Sequence, residues 1–221
     1  MRRQAVTSPA GSRPSPVSAP AVSRTIAAGW ASPARATYRS RSIGCTWRTL
    51  PLPALPSPAV ASDPSLELTL TPIQGEGRTL EQWLTTFHLV SVVIDPYTNE
   101  SAWILDTAAR IMRSFTGAAV RVNWVVAGTD EDARAFLGPL ATEFLTFADP
   151  ERTYVKALGL ERLPAFVFLR VDGQVVASAE GWNALEWRQV AEAVAETTAW
   201  TAAVIPAPGD PQAYAGTLAL A

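Results

Sequence analysis

The sequence predicts an α/β domain, a central mixed β-sheet with flanking helices, and three observations carry that prediction. From Asp63 onward, short apolar runs alternate with amphipathic segments of helical period, which is the pattern of strands joined by covering helices. The run Leu89 to Ile94 is almost continuously apolar, as expected of a strand buried on both faces. Two late strand-like runs flank Asp172-Gly173, a dipeptide favoured in two-residue hairpin turns, so at least one strand pair is antiparallel and the sheet is mixed.

The elements follow in order. Leu66 to Leu70 alternates weakly as an entry strand. Thr79 with Gln82 three residues on forms a capping box that opens a helix reaching about Phe87. After the central strand, Ile104, Ala108, Ile111, Met112 and Phe115 make one apolar helix face, with Asp106, Arg110 and Arg113 opposite. Val120 to Ala127 reads as the next strand, and Thr129 as the N-cap of a helix through Phe136. Phe144 to Ala148 is a short strand. Asp149 is read as the cap of a helix with Pro150 at its first position, where a missing N–H costs nothing, and Gly159 closes it. Ala165 to Val171 and Gln174 to Ala179 form the hairpin. Asn183, with Glu186 three residues on, opens a last helix whose buried stripe is Trp187, Val190, Ala191 and Val194. Residues 201–221 read as a loosely ordered tail.

Composition bounds what this domain does. A chain of 221 residues, 48% hydrophobic and 17% charged, supplies one core and a short appendage. A formal charge of -2 and the lack of an 18-residue apolar run argue against nucleic-acid binding and membrane insertion. One Cys and one His cannot make a zinc site, a disulfide framework or a Cys/His nucleophile pair, so no metal and no cofactor are expected.

Residues 1–62 stand apart. They hold eight Arg, nine Pro and ten Ser and not one acid, leaving ten basic against twenty acidic residues in the remainder. Without helical or strand period, this leader is expected to be disordered. Three readings of it stay open: a disordered or over-extended start, an organelle transit peptide, and an export signal suggested by Arg2-Arg3 and Ala59-Val60-Ala61. Pro51, Pro53, Pro56 and Pro58 make a poor apolar core for the last. The expected compartment is the cytoplasm, with organelle targeting or export as alternatives. Cys45, in the leader, reads as an incidental unpaired thiol.

Two segments give the domain, residues 63–200, its family likeness. Leu160 to Leu169 (LERLPAFVFL), followed by Val171-Asp172-Gly173, and Leu89 to Trp103, a strand, loop and helix start, together resemble the thioredoxin-like proteins. The stretch FLTFADPERTYVKALGL resembles the insertion of the redoxin branch. The resemblance implies a cis peptide before Pro164. It also implies that Thr98-Asn99-Glu100-Ser101 stands where active members carry Cys-x-x-Cys. A hydroxyl cannot perform disulfide exchange, so thiol-disulfide oxidoreductase and peroxidase activities are expected to be absent. Val92 falls where active relatives place a buried acid, and Pro96-Tyr97-Thr98 lacks both the spacing and the Cys of a peroxiredoxin site.

What the resemblance leaves is a groove beside the cis proline, lined by Tyr97, Thr98, Ser101, Leu163 and Pro164, where active members lay an extended peptide. Its occupant here would be a protein or peptide partner. The plainer reading is that Thr98 caps the helix, Pro164 preserves the fold, and nothing binds. An enzyme of another class using Asp95, Glu100, Thr98 or Ser101, and a structural subunit, are the alternatives. Gly75-Glu76-Gly77 reads as a turn, His88 as a structural imidazole, and Asn99-Glu100-Ser101 as a glycosylation sequon that matters only in a secreted chain. Trp103 and Trp182 are the two indoles expected at the surface.

Overall fold

The computed structural model describes residues 61–220; the leader through Val60, with Cys45 and the targeting readings, lies outside the described residues. The chain enters through β1 (Thr69–Pro72) and β2 (Arg78–Thr79), then α1 (Leu80–Leu84), whose capping box between Thr79 and Gln82 is formed as expected. The long strand β3 (His88–Ile94) follows, then α2 (Asn99–Trp103), α3 (Leu105–Ser114) and β4 (Val120–Val126). Next come α4 (Asp130–Leu137), the short α5 (Leu140–Glu143), β5 (Leu145–Ala148) and α6 (Thr153–Leu158). The chain closes with β6 (Arg162–Leu163), β7 (Ala165–Leu169), β8 (Val175–Glu180), α7 (Ala184–Thr198) and β9 (Thr217–Leu218).

Seven strands form one sheet in the order β2-β1-β5-β4-β3-β7-β8, and β6 pairs separately with β9. β3 runs parallel to β4 and β4 to β5, whereas β7 is antiparallel to both β3 and β8. The period of two along each strand sorts the core into two layers. Val90, Val92, Ile94, Trp124, Phe166 and Phe168 face α3 and α7 on one side. Leu89, Val93, Val125, Phe147, Val167 and Leu169 face α1 and α6 on the other. This explains why β3 reads as a continuous apolar run.

Four expectations are corrected by the structure. The Asp149 helix begins at Thr153, not at Pro150. Its carboxylate still accepts the N–H groups of Thr153, Tyr154 and Val155, at 2.7, 2.9 and 3.3 Å, so it caps the helix across an intervening turn. The hairpin is not a two-residue turn on Asp172-Gly173. Gly173 N–H donates to Arg170 O and Arg170 N–H to Gln174 O, while Gly173 alone takes a positive φ, which makes a three-residue loop closed by a glycine bulge. Trp182 is buried, its indole N–H donating to Pro211 O at 2.8 Å.

The tail is the fourth. Ala203 and Ile205 join the core, and Asp210 accepts a bidentate pair from Arg110 at 2.8 and 2.9 Å and a hydrogen bond from Thr107. Tyr214 exchanges both backbone hydrogen bonds with Trp182, and β9 completes a ladder with β6. The domain also starts slightly earlier than 63: Ala61 N–H donates to Ser178 Oγ and Ser62 N–H to Leu158 O. Among the described residues no helix is long and apolar enough to cross a membrane.

Candidate functional site

The parallel strands β3, β4 and β5 all end on one edge of the sheet, the edge where open α/β sheets place their chemistry. β3 delivers Asp95 there, and the following turn presents Tyr97 and Thr98 before α2 begins. Thr98 occupies the N-cap position, but its hydroxyl does not cap. It lies 3.1 Å from the Asp95 carbonyl and donates to Ser101 Oγ at 3.0 Å. Ser101 is fully buried and also accepts the Asp95 N–H at 3.0 Å. The two hydroxyls therefore meet across one turn of helix.

The carboxylate of Asp95 is buried and fully engaged. Tyr97 N–H donates to Oδ1 at 2.9 Å and Arg152 Nη2 to Oδ2 at 2.8 Å. Arg152, the residue before α6, takes a left-handed backbone with φ of 55° and sends its other terminal nitrogen to the carbonyl of Ala219. The Asp95 carboxylate is paired with Arg152, and the Glu100 backbone carbonyl accepts the Tyr214 hydroxyl. His88 lies at the opposite end of β3, where its Nδ1 accepts Val171 N–H at 3.1 Å and its ring meets Phe168 edge-on. Burial, then the Arg170 cation, lowers its pKa against the weaker pull of Asp172. It is a satisfied structural imidazole, far from any hydroxyl at the site.

The peptide between Leu163 and Pro164 is cis, as the resemblance implies. Yet Leu163, Pro164 and Ser101 are buried, and of the five groove residues only Tyr97 is broadly exposed, at 67%. The groove is covered by the chain's own C-terminal segment. Arg162 pairs with Leu218 and Leu163 with Thr217, antiparallel, and Ala219 N–H donates to Glu161 O at 2.8 Å. Upstream, the Tyr214 hydroxyl donates to Glu100 O at 2.7 Å while its ring sits edge-on to Trp103 at 5.5 Å. Burial, with Glu100 nearby, pushes that phenol upward in pKa, so it is neutral and a donor at physiological pH.

Residues 214–219 thus lie as a strap across α2 and the cis-proline segment. Glu180, at the end of β8, steadies the underside by accepting the N–H groups of Glu161 and Arg162 at 3.1 and 2.7 Å; burial raises its pKa. Open clefts flank the strap. One of about 430 Å³, mostly apolar, is lined by Lys156, Gly159, Leu160, Glu161, Leu218 and Leu220. Another of about 320 Å³ lies on the side of Tyr214 and Ala215, against Glu180, Trp182 and Glu186. Away from the strap, a cleft of about 300 Å³ lies between Tyr97 and α4, where Tyr97 donates to Asp132 at 2.7 Å. Trp103 stays 56% exposed beside the strap.

The sequence does not mark Arg152, Glu180 or the strap as site residues, and it marks Trp182 only as a surface indole. A signal was present: beyond Trp200 the chain carries a single charge, Asp210, and ends in the alternating Thr-Leu-Ala-Leu, which suits a short strand.

No protein-family model matches the sequence, and no curated protein matches it. Solved structures share its fold. A protein described as the thiol:disulfide interchange protein DsbE of Chlorobium tepidum is 14% identical over 62% of this chain and 97% of its own, with a TM-score of 0.53. A hypothetical protein from Sinorhizobium meliloti is 15% identical over 67% of this chain and 89% of its own, at 0.52. Peroxiredoxin Q of Xanthomonas campestris is 16% identical over 63% and 97%, at 0.50. The fold is thioredoxin-like, and the chain's one cysteine lies far from the Thr98–Ser101 turn in sequence.

Proposed function

We propose that this chain is a thioredoxin-like binding domain without thiol chemistry, which holds an extended polypeptide by strand addition beside the cis proline. The observation that carries the reading is the β6–β9 ladder: the edge of Arg162–Leu163 already holds an extended segment, supplied in cis. Main-chain pairing of this kind gives affinity, and flanking side-chain seats give selectivity. Thr98 and Ser101 are hydrogen-bonded to each other and to the Asp95 backbone, so their role in this reading is to hold the turn rather than to react.

The test opens the groove without altering its floor. An ideal Cβ on Gly216 would stand 2.4 Å from the Leu163 carbonyl oxygen, so Gly216→Val forces the strap away. Full-length wild type and the variant are each presented with a displayed library of unstructured decapeptides. The variant retains clones that protect the Leu163 amide from hydrogen exchange, and the wild type retains few. Retention of none by either protein refutes the reading. The close fit at Gly216 and the burial of Ala219 favour a second reading, in which the strap seals the groove permanently and the domain is a structural subunit. That reading expects the empty library.

A further inference from the structure

Resting on the binding reading above, we infer that the strap is a template for the partner: the groove selects extended segments of the pattern aromatic-x-Gly-x-x-Ala, which the chain itself carries as Tyr214 to Ala219.

Each selected position has a separate physical cause. At the first, the ring must lie against Trp103 and a hydroxyl must reach Glu100 O, while the backbone exchanges two hydrogen bonds with Trp182. Tyrosine meets all of this, whereas phenylalanine leaves the Glu100 carbonyl without its donor. At the third position the backbone passes directly over the cis-proline segment. Gly216 has φ of 77°, and a side chain there would collide with Leu163 O. The floor is cut to match: Gly181 directly beneath would place a Cβ 2.6 Å from Tyr214 O. At the sixth position, Ala219 is fully buried, with its N–H on Glu161 O and its carbonyl receiving Arg152. A larger side chain there has no room.

The intervening positions face outward. Ala215 and Leu218 are exposed and Thr217 is half-buried, so they carry little selection. Arg152 couples the pattern to the interior, because the guanidinium that meets the sixth carbonyl is fixed by Asp95 at the end of the central strand. The same geometry makes the strap a competitor. A partner in trans gains only against the fraction of molecules whose strap is lifted, which lowers its apparent affinity in proportion.

The experiment uses the full-length Gly216→Val protein and a fluorescent decapeptide with the sequence of residues 212–221, read by anisotropy. The peptide binds this variant at least about tenfold more tightly than it binds wild type. Peptides carrying Tyr214→Ala, Gly216→Val or Ala219→Leu each lose about tenfold or more, Tyr214→Phe loses about threefold, and Leu218→Ser stays within about twofold. Full-length Tyr214→Ala serves as a second receptor, since it keeps every glycine and removes only the aromatic anchor of the strap. If either folded receptor binds the parent and the altered peptides equally, or binds unrelated library peptides as tightly, the pattern is wrong while strand addition stands. If neither folded receptor binds any peptide, the pattern and the binding reading both fall.

Discussion

Thr98 and Ser101 hold their hydroxyl oxygens 3.0 Å apart on the first turn of α2, so two sulfurs placed there would be within reach of a bond after small side-chain rotations. Thr98→Cys with Ser101→Cys, in a Cys45→Ser background, is expected to close a disulfide under mild oxidation. Thiol counting before and after reduction checks it, and two persistently free thiols would show that the turn is not aligned as the resemblance implies. His88 supports a second expectation at this scale. Its pKa is lowered in the folded chain, so the unfolded chain takes the proton first and stability falls as pH drops below about 6.5. Glu180, raised by burial, acts with the opposite sign, and stability rises as pH falls through its folded value. The urea midpoint of wild type should therefore decline between pH 7.5 and 5.5, and that decline should shrink in His88→Gln. Equal declines in the two proteins would remove His88 as its source. Residue roles of this kind were half legible: an apolar run fixes that Leu89 to Ile94 is a buried strand, but nothing local to His88 shows that Val171 would bring it a donor from the hairpin.

At the scale of elements, what could be read was whatever is decided within one turn or one strand. The capping box at Thr79, the N-cap at Thr129, the Asn183 cap and the Trp187, Val190, Ala191, Val194 stripe all formed where periodicity and cap chemistry put them. Boundaries set by bonds across several residues were not legible. Asp149 reads as an ordinary cap beside Pro150, yet its carboxylate reaches over the Glu151–Arg152 turn to Thr153, Tyr154 and Val155, and Arg152 is released to pair with Asp95. That makes Asp149 a buried acceptor serving three backbone donors and the Thr153 hydroxyl. Asp149→Ala leaves those donors unmet and should cost about 2–3 kcal/mol in chemical unfolding, with Thr153→Ala costing about 1 kcal/mol or less. A loss below about 0.5 kcal/mol for Asp149→Ala would mean that water replaces the carboxylate and that the cap does not hold α6. The hairpin teaches the same lesson: Asp172-Gly173 correctly marks a turn, but whether glycine alone or both residues take positive φ depends on the register of β7 against β8.

Taken whole, the molecule uses its C-terminal segment, whose one charged side chain is Asp210, to finish the fold and to cover the edge of the sheet where the parallel strands end. The relevant information was distributed: a tail with one charge looks loose until that charge is seen to meet Arg110 of α3, one hundred residues earlier in the chain. Asp210 is nearly enclosed, accepting Arg110 twice, Thr107 once and the Ala207 N–H, while Arg110 also donates to Val204 O. This cluster holds the first half of the tail to α3, whereas the strap proper is held by Tyr214, the β6–β9 ladder and Arg152. The two halves are therefore separable. Breaking the cluster should free residues 201–211 and let the strap lift more often, without disturbing the two core layers, because Ala203 and Ile205 are the only side chains of that stretch in the core. Asp210→Ala is accordingly expected to cost on the order of 1–3 kcal/mol, and to make a protease cut between residues 201 and 220 long before it cuts elsewhere in the described domain. Amide exchange should speed up at Thr217 and Ala219 more than at Val92 or Phe166, whose hydrogen bonds open only with the sheet. If exchange instead rises equally at all four, tail and sheet unfold as one unit, and the strap has no open state from which a partner could be captured.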